Sequence, residues 1–347
     1  MIPSDIKDTV KDVIVEGLIF VDGEFERGKF SITSGKFVDG IKGADYRGTL
    51  LKAPINLHVH TADSFIREEP RGSLPEVVGP NGLKWRMLRS ANLSEMKSGM
   101  RQSIAFMRKR GTAAFFDFRE PTNLSDHIST GKEGITEIVL TRPQEEKDVE
   151  PLVKMSSGFG LSSIDDNDFS WLLHLSKKAK EFGKLFAIHY SENVREDIGK
   201  LIKLRPDFAV HCIESTNEDI ATLRKNRIPV TITPRSNIFY GKRPDYARFL
   251  EGGIRVMMGT DNVFVTEPDM WQEGEFLYRY QRGFHRISPE DILKIMIENP
   301  RAFMREKKIA MREEMYVLYT GIELTPYQII TKPNSYRRRI LVTGKNG

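Results

Sequence analysis

Eight short apolar runs, spread through the middle of the chain and separated by stretches of helical spacing, constrain its fold more than any other feature. They occupy residues 50–57, 113–118, 137–140, 158–161, 185–188, 208–210, 230–233 and 256–258. Runs this short and this apolar suit strands buried on both faces, the environment of a parallel sheet. Parallel neighbours need a crossover, and helical segments are read between most of the runs. Residues 92–110 carry Leu93, Met96, Met100, Ile104 and Met107 at helical spacing, with Gly111 as the stop. Further helices are expected over 170–182, 218–225 and 245–251. The methionine stripe reads as packing on a sheet and not as a cofactor groove. Eight strands alternating with helices predict an α/β fold, a (β/α)8 TIM barrel. The interval between 118 and 137 fits least well, because its helix is short and polar.

The chain ends have a different texture. Residues 13–47 hold short alternating segments broken at Gly17, Gly23, Gly35 and Gly40, the pattern of small antiparallel strands. Such a meander cannot hold a core alone. Residues 315–319, 328–330 and 339–343 are also strand-like and can complete it. A small composite β-sandwich domain is therefore expected from residues 1–50 and 305–347, with the barrel over 51–304.

Composition removes several function classes. The 53 basic and 48 acidic residues leave a net charge of +5, too small an excess to argue for nucleic acid but compatible with an anionic small molecule. The single cysteine, Cys212, excludes a disulfide framework, an all-cysteine zinc site and the paired-cysteine site of the cytidine deaminases. The N-terminus lacks a signal-peptide core, and no apolar stretch is long enough to span a membrane. There is no Gly-rich phosphate loop. A cytoplasmic protein acting on a small molecule is expected, with no nucleic-acid or membrane partner, and homo-oligomerisation is left open.

Active sites of such barrels lie at the C-terminal ends of the strands. Reading those ends in order gives His58 and His60, then Asp117, Arg119 and Glu120, then Arg142, then Ser162 and Ser163. The later ends give His189 and Glu192, His211 and Glu214, Arg235, and Asp261. A His-x-His pair alone means little, since chance supplies one in roughly one chain in seven of this composition. Four of the seven histidines at three strand ends, with a lone aspartate at the eighth, is a stronger coincidence. Neutral imidazoles and one carboxylate suit Zn2+ or Fe2+, which can make hydroxide available near neutral pH. Glu192 would rise from the same strand end as His189 and suits a proton shuttle.

The set His58-Val-His60, His189-Tyr-Ser-Glu192, Ala209-Val-His211-Cys212, Thr233-Pro-Arg-Ser-Asn237 and Met258-Gly-Thr-Asp261-Asn262 resembles the amidohydrolase superfamily. Its cytosine deaminase and S-adenosylhomocysteine deaminase branch is the nearest likeness, over almost the whole chain. The resemblance implies metal ligands at His58, His60, His189 and Asp261. It implies Glu192 as proton shuttle, His211 polarising the attacking water or the substrate, and Asp261 accepting the water's first proton. It also implies one divalent metal, zinc before iron, because the fourth run, 158–164, offers neither the bridging lysine nor the glutamate of binuclear members. Ser162 and Ser163 stand where adenosylhomocysteine-type deaminases often have a histidine, which tells against their particular purines.

The expected reaction is hydrolytic removal of an amino group from a purine, pyrimidine or related heterocycle by metal-bound hydroxide. The alternatives are a cyclic amidase or halide-removing hydrolase using the same site, and a ligand-binding barrel whose metal site is vestigial. Arg119, Arg142 and Arg235 are candidates to hold an anionic group of the substrate. Trp85 is a candidate to stack on its ring.

Overall fold

The computed structural model describes residues 7–9, 12–120, 134–283 and 287–343. Within them the middle of the chain forms parallel strands at Ile55–His60, Ala114–Arg119, Thr136–Thr141, Gly158–Leu161, Leu185–Tyr190, Phe208–His211, Val230–Ile232 and Val256–Met258. Each pairs in parallel with the next. Beyond Val256–Met258 the chain continues as a ninth short strand, Asp261–Asn262, which lies against the first, with Asp261 opposite Val59 and Asn262 opposite His60. One stretch of chain therefore pairs with the seventh strand and then with the first, and the ring closes.

Closure passes through Gly259, where an added Cβ would lie 2.6 Å from both the Cβ and the carbonyl oxygen of His58. Only a residue without a side chain permits that approach. The strand interiors, including Leu57, Phe116, Phe118, Phe159, Phe186 and Ile188, merge into one large core.

Helices cover the outside. The predicted helix 92–110 forms as Leu93–Lys109, capped by the Asn92 side chain, which accepts from Ser94 N at 2.9 Å. Its methionine stripe packs as expected. Met96 and Met100 meet Phe65 and Ile66, while Ile104 and Met107 meet Val59 and Phe115. The other predicted helices form as Phe169–Glu181, Asn217–Lys225 and Ala247–Glu251. The short polar helix expected between 118 and 137 falls on 121–133, outside the described residues.

The run 50–57 proves to be two strands. Ala53 and Pro54 interrupt it. Tyr46–Lys52 belongs to the sheet built from the chain ends, and the barrel opens with Ile55–His60. Pro54 has no N–H to continue a ladder, so the change of sheet falls where the backbone has least to lose.

The second sheet orders its strands Lys7–Thr9, Arg338–Thr343, Met315–Thr320, Tyr46–Lys52, Ile14–Val21, Glu24–Ser31 and Lys36–Phe37. Its pairings are mostly antiparallel. Alternation along each strand feeds two cores. Val15, Ile19, Leu50 and Leu318 enclose a small one with Phe30, while Phe20, Leu51, Val317 and Tyr319 join the large one. Residues 328–330, read as a strand, lie instead in the helix Pro326–Thr331. Thr325 and Gln328 form a capping box there, and Pro326 sits at the first turn.

Candidate metal centre and its cavity

The first barrel strand alternates, so His58 and His60 project to the same side at its end. His189 ends the fifth strand and Asp261 opens the closing one. These four residues bring ligand atoms within 4.8 Å of one another. His58 Nε2 lies 3.2 Å from Asp261 Oδ1 and 3.2 Å from His189 Nε2, and His60 Nε2 lies 3.5 Å from Asp261 Oδ1.

The chemistry of this donor set fits a divalent cation. His60 Nδ1 faces the Phe118 carbonyl at 2.9 Å and the Glu120 carboxylate at 2.6 Å, while His189 Nδ1 faces the Leu161 carbonyl at 2.6 Å. Those acceptors hold the ring protons on Nδ1, so both Nε2 lone pairs turn inward. Burial pushes the His58 imidazole down to about 4 and holds His189 well below its ordinary value. Neutral imidazoles converging with a carboxylate are what zinc or iron requires.

The strand ends are bent to deliver these groups. Ser191, His211, Cys212 and Asp261 all adopt positive φ, at 46°, 69°, 56° and 66°. Left-handed backbone at non-glycine residues costs on the order of 1–3 kcal/mol each, and its clustering here marks a site.

Glu192 follows Ser191 and reaches toward His211, with Oε2 3.4 Å from Nε2. Burial and the neighbouring Asp261 push its carboxyl well above the usual range. Asp261 goes the other way. Burial opposes its ionisation, but the hydrogen bond with His58 and the surrounding histidines hold it well below. Its other oxygen also accepts from Ser236 Oγ at 2.6 Å. Two nearby carboxyls with opposed tendencies are the pattern of an acid and a base set side by side.

His211 is oriented from behind. Tyr246 Oη donates to Asn237 Oδ1 at 3.0 Å, which turns the Asn237 amide nitrogen to within 3.2 Å of His211 Nδ1. Thr233 Oγ1 lies 3.0 Å from the same atom. With Nδ1 accepting, the proton sits on Nε2, and that atom has no protein hydrogen-bond partner among the described residues.

His60, His189, Glu192, His211 and Asp261 all line one cavity of about 590 Å3. Trp85, Arg142, Ser162 and Ser163 line it too, with Leu74 and Val78 on its apolar side. The two other strand-end arginines do not, and this corrects the expectation for both. Arg119 is buried, with Nε 2.7 Å from Asp117 Oδ2 and its guanidinium 3.0 Å from Glu137. Arg235 pairs with Glu273, reaches Gln272 at 3.0 Å and donates to the Glu267 carbonyl at 2.6 Å. Both neutralise carboxylates behind the strand ends.

Lys84 was missed by the sequence reading. It is buried in the cavity wall, 2.8 Å from Asn262 Oδ1 and paired with Glu120. It comes from the helix Leu83–Ser90 after the first strand, where no spacing rule announces a lysine turned inward.

Comparison with known proteins agrees with this architecture. The model of the amidohydrolase family matches residues 52–308. A protein of Archaeoglobus fulgidus, provisionally named an aminohydrolase, is 30% identical over 267 residues, covering 76% of this chain and 74% of its own. A guanine deaminase from C. acetobutylicum with bound guanine superposes with a TM-score of 0.71 at 14% identity, covering 88% of this chain and 91% of that one. An adenosine deaminase from Xanthomonas campestris with bound zinc gives 0.74 at 13% identity, over 93% and 87%. These two solved structures share the fold. No helix among the described residues is long and apolar enough to cross a membrane.

Proposed function

The chain belongs to the amidohydrolase family, and from that premise we propose that it is a hydrolytic deaminase of an amino-substituted purine, pyrimidine or related heterocycle, dependent on one divalent metal. The observation that carries this reading is the opposition of Glu192, its carboxyl pushed well above the usual range, to Asp261, held well below it, across a converging set of imidazoles. The guanine and adenosine deaminases that share the fold support a ring amine as the target, and the zinc of the second supports the metal.

His58, His60, His189 and Asp261 would hold the ion, with zinc favoured over iron. When bound, such an ion supplies Lewis acidity that makes water a nucleophile near neutral pH. Asp261, held well below its ordinary pKa and accepting from Ser236, would take the first proton of the attacking water. Glu192, whose carboxyl burial and Asp261 push well above its usual range, is the group suited to give a proton to a ring nitrogen, which makes the amine-bearing carbon electrophilic. The proton taken up by Asp261 would then pass to the departing nitrogen, which leaves as ammonia, while Glu192 would recover its own from the hydroxyl of the adduct as the ring carbonyl forms. His211, with its proton on Nε2, donates toward the reacting centre and stabilises negative charge as it develops. Trp85, in the cavity wall, offers a face for the ring.

The test joins metal analysis to ammonia release across aminated purines, pyrimidines and pterins. Glu192→Gln should keep the metal and lose at least ~100-fold in turnover, whereas His60→Ala should lose the metal. A cyclic amide that opens while no heterocycle releases ammonia would overturn the deaminase reading.

A further inference from the structure

We propose that Arg142 forms an oxyanion subsite in this cavity, so that the heterocycle carries a carboxylate or phosphate. The inference rests on the reading of the cavity as a heterocycle site. Three arginines stand at barrel strand ends, and two are ion-paired, Arg119 with Asp117 and Glu137 and Arg235 with Glu273, although Arg119 Nη1 has no hydrogen-bond partner among the described residues. Arg142 differs from both in lining the cavity and in having no carboxylate partner among the described residues. Its Nε is buried without a hydrogen-bond partner, and it forms no ion pair with any described carboxylate. The other buried cation of the cavity wall, Lys84, is already taken by Glu120 and Asn262.

The guanidinium of Arg142 is also placed for use. Its carbon lies 5.6 Å from the centre of the Trp85 ring, and both side chains line the cavity. Burial lowers its pKa, opposed only in part by the fields of Glu120 and Asp166, so its charge is under-compensated where it stands. A planar fork of donors in that condition matches a carboxylate or phosphate through two parallel hydrogen bonds. Volume agrees. A cavity of about 590 Å3 is in the range that holds a drug-sized molecule, more than a bare base fills. The ring at the metal and a charged substituent at Arg142 would together occupy it.

The experiment measures calorimetric binding to the metal-loaded full chain of two matched pairs, adenosine against adenosine 5′-monophosphate and pterin against pterin-6-carboxylate. In at least one pair the anionic member should bind roughly tenfold or more tighter than the neutral one, as expected for charge-assisted hydrogen bonds. The pair that shows it tells phosphate from carboxylate. Arg142→Ala should abolish that preference with metal content and circular dichroism unchanged, and Arg142→Lys should keep part of it. Arg86→Ala, on the exposed face of the same helix as Trp85, should change nothing. If neither anion binds more tightly than its neutral partner, or if the preference survives Arg142→Ala, the proposal falls. Binding is read in the Glu192→Gln background, where turnover is lost, so an Arg142-dependent preference there with no ammonia released by the wild-type chain would overturn the deaminase reading and leave this one standing.

Discussion

His60 is held by more than its neighbours at the centre. Its outer nitrogen faces Glu120, and Glu120 is neutralised by Lys84 in the cavity wall. A carboxylate behind a ligating imidazole fixes its tautomer and raises its basicity. Glu120→Gln should therefore weaken metal affinity by roughly 10–100-fold with little change in fold, measurable by competition with a chromogenic chelator. At this scale much of the centre could be read from residue types alone. The two-residue spacing of His58 and His60, and the arrival of His189 and Asp261 at later strand ends, follow from strand periodicity. Lys84, Asn237 and Tyr246 could not be read that way. Each acts through a contact set by tertiary packing, and Lys84 sits on a loop-borne helix whose inward face has no signature in the chain. Arg119 and Arg235 misled for the complementary reason, since their acids lie on other strands and helices.

Elements show the same division between local and distant causes. The helix over 93–109 was legible because its cap, its stripe and Gly111 are all local. The break of the run 50–57 at Ala53-Pro54 had a local mark in Pro54, but that the two halves join different sheets depends on which sheet offers a partner strand. At Gly259 a local substitution has a distant effect. Gly259→Ala drives a methyl into the His58 backbone and should cost about 1–3 kcal/mol, seen as a lowered denaturation midpoint together with reduced metal occupancy. The helix Asn217–Lys225 yields a pH prediction. The hydrogen bonds from Arg195 hold the Asp219 carboxyl below its ordinary value, and it also accepts from Thr216 N in a capping box. A depressed carboxyl stabilises above its unfolded pKa and loses that contribution as pH falls through the folded one. Asp219→Asn should thus be less stable than wild type at pH 7, and urea melts of the two should converge as pH falls below about 4. A constant gap down to pH 2 would show that the ion pair contributes nothing.

For the whole molecule, a metal held at this centre would tie together parts of the chain that are far apart in sequence. Residues 58 and 261 meet across 203 positions, and a ligand bound only by the folded state stabilises it by an amount that grows with the logarithm of its excess over the dissociation constant. Chelation should therefore lower the melting temperature, and the loss should approach about 4 kcal/mol where free metal had stood at 1,000 times its dissociation constant. Readdition of Zn2+ should restore it. A melting temperature indifferent to chelator would mean that the imidazole cluster does not hold an ion in solution. The sheet built from both chain ends was legible as a composite, because neither terminal set of strands has a core of its own. Its strand order was not, since Tyr46–Lys52 inserts between Met315–Thr320 and Ile14–Val21 only once both termini are present.

The place where the ring closes is also the place where Asp261 is delivered. During synthesis, the three histidines emerge well before the aspartate, and the seam between first and last strands stays open until the chain has passed Gly259. An incomplete chain offers the ion three imidazoles and no fourth ligand. Capture of an ion by all four groups would thereby be a receipt for a finished barrel, written at its last joint.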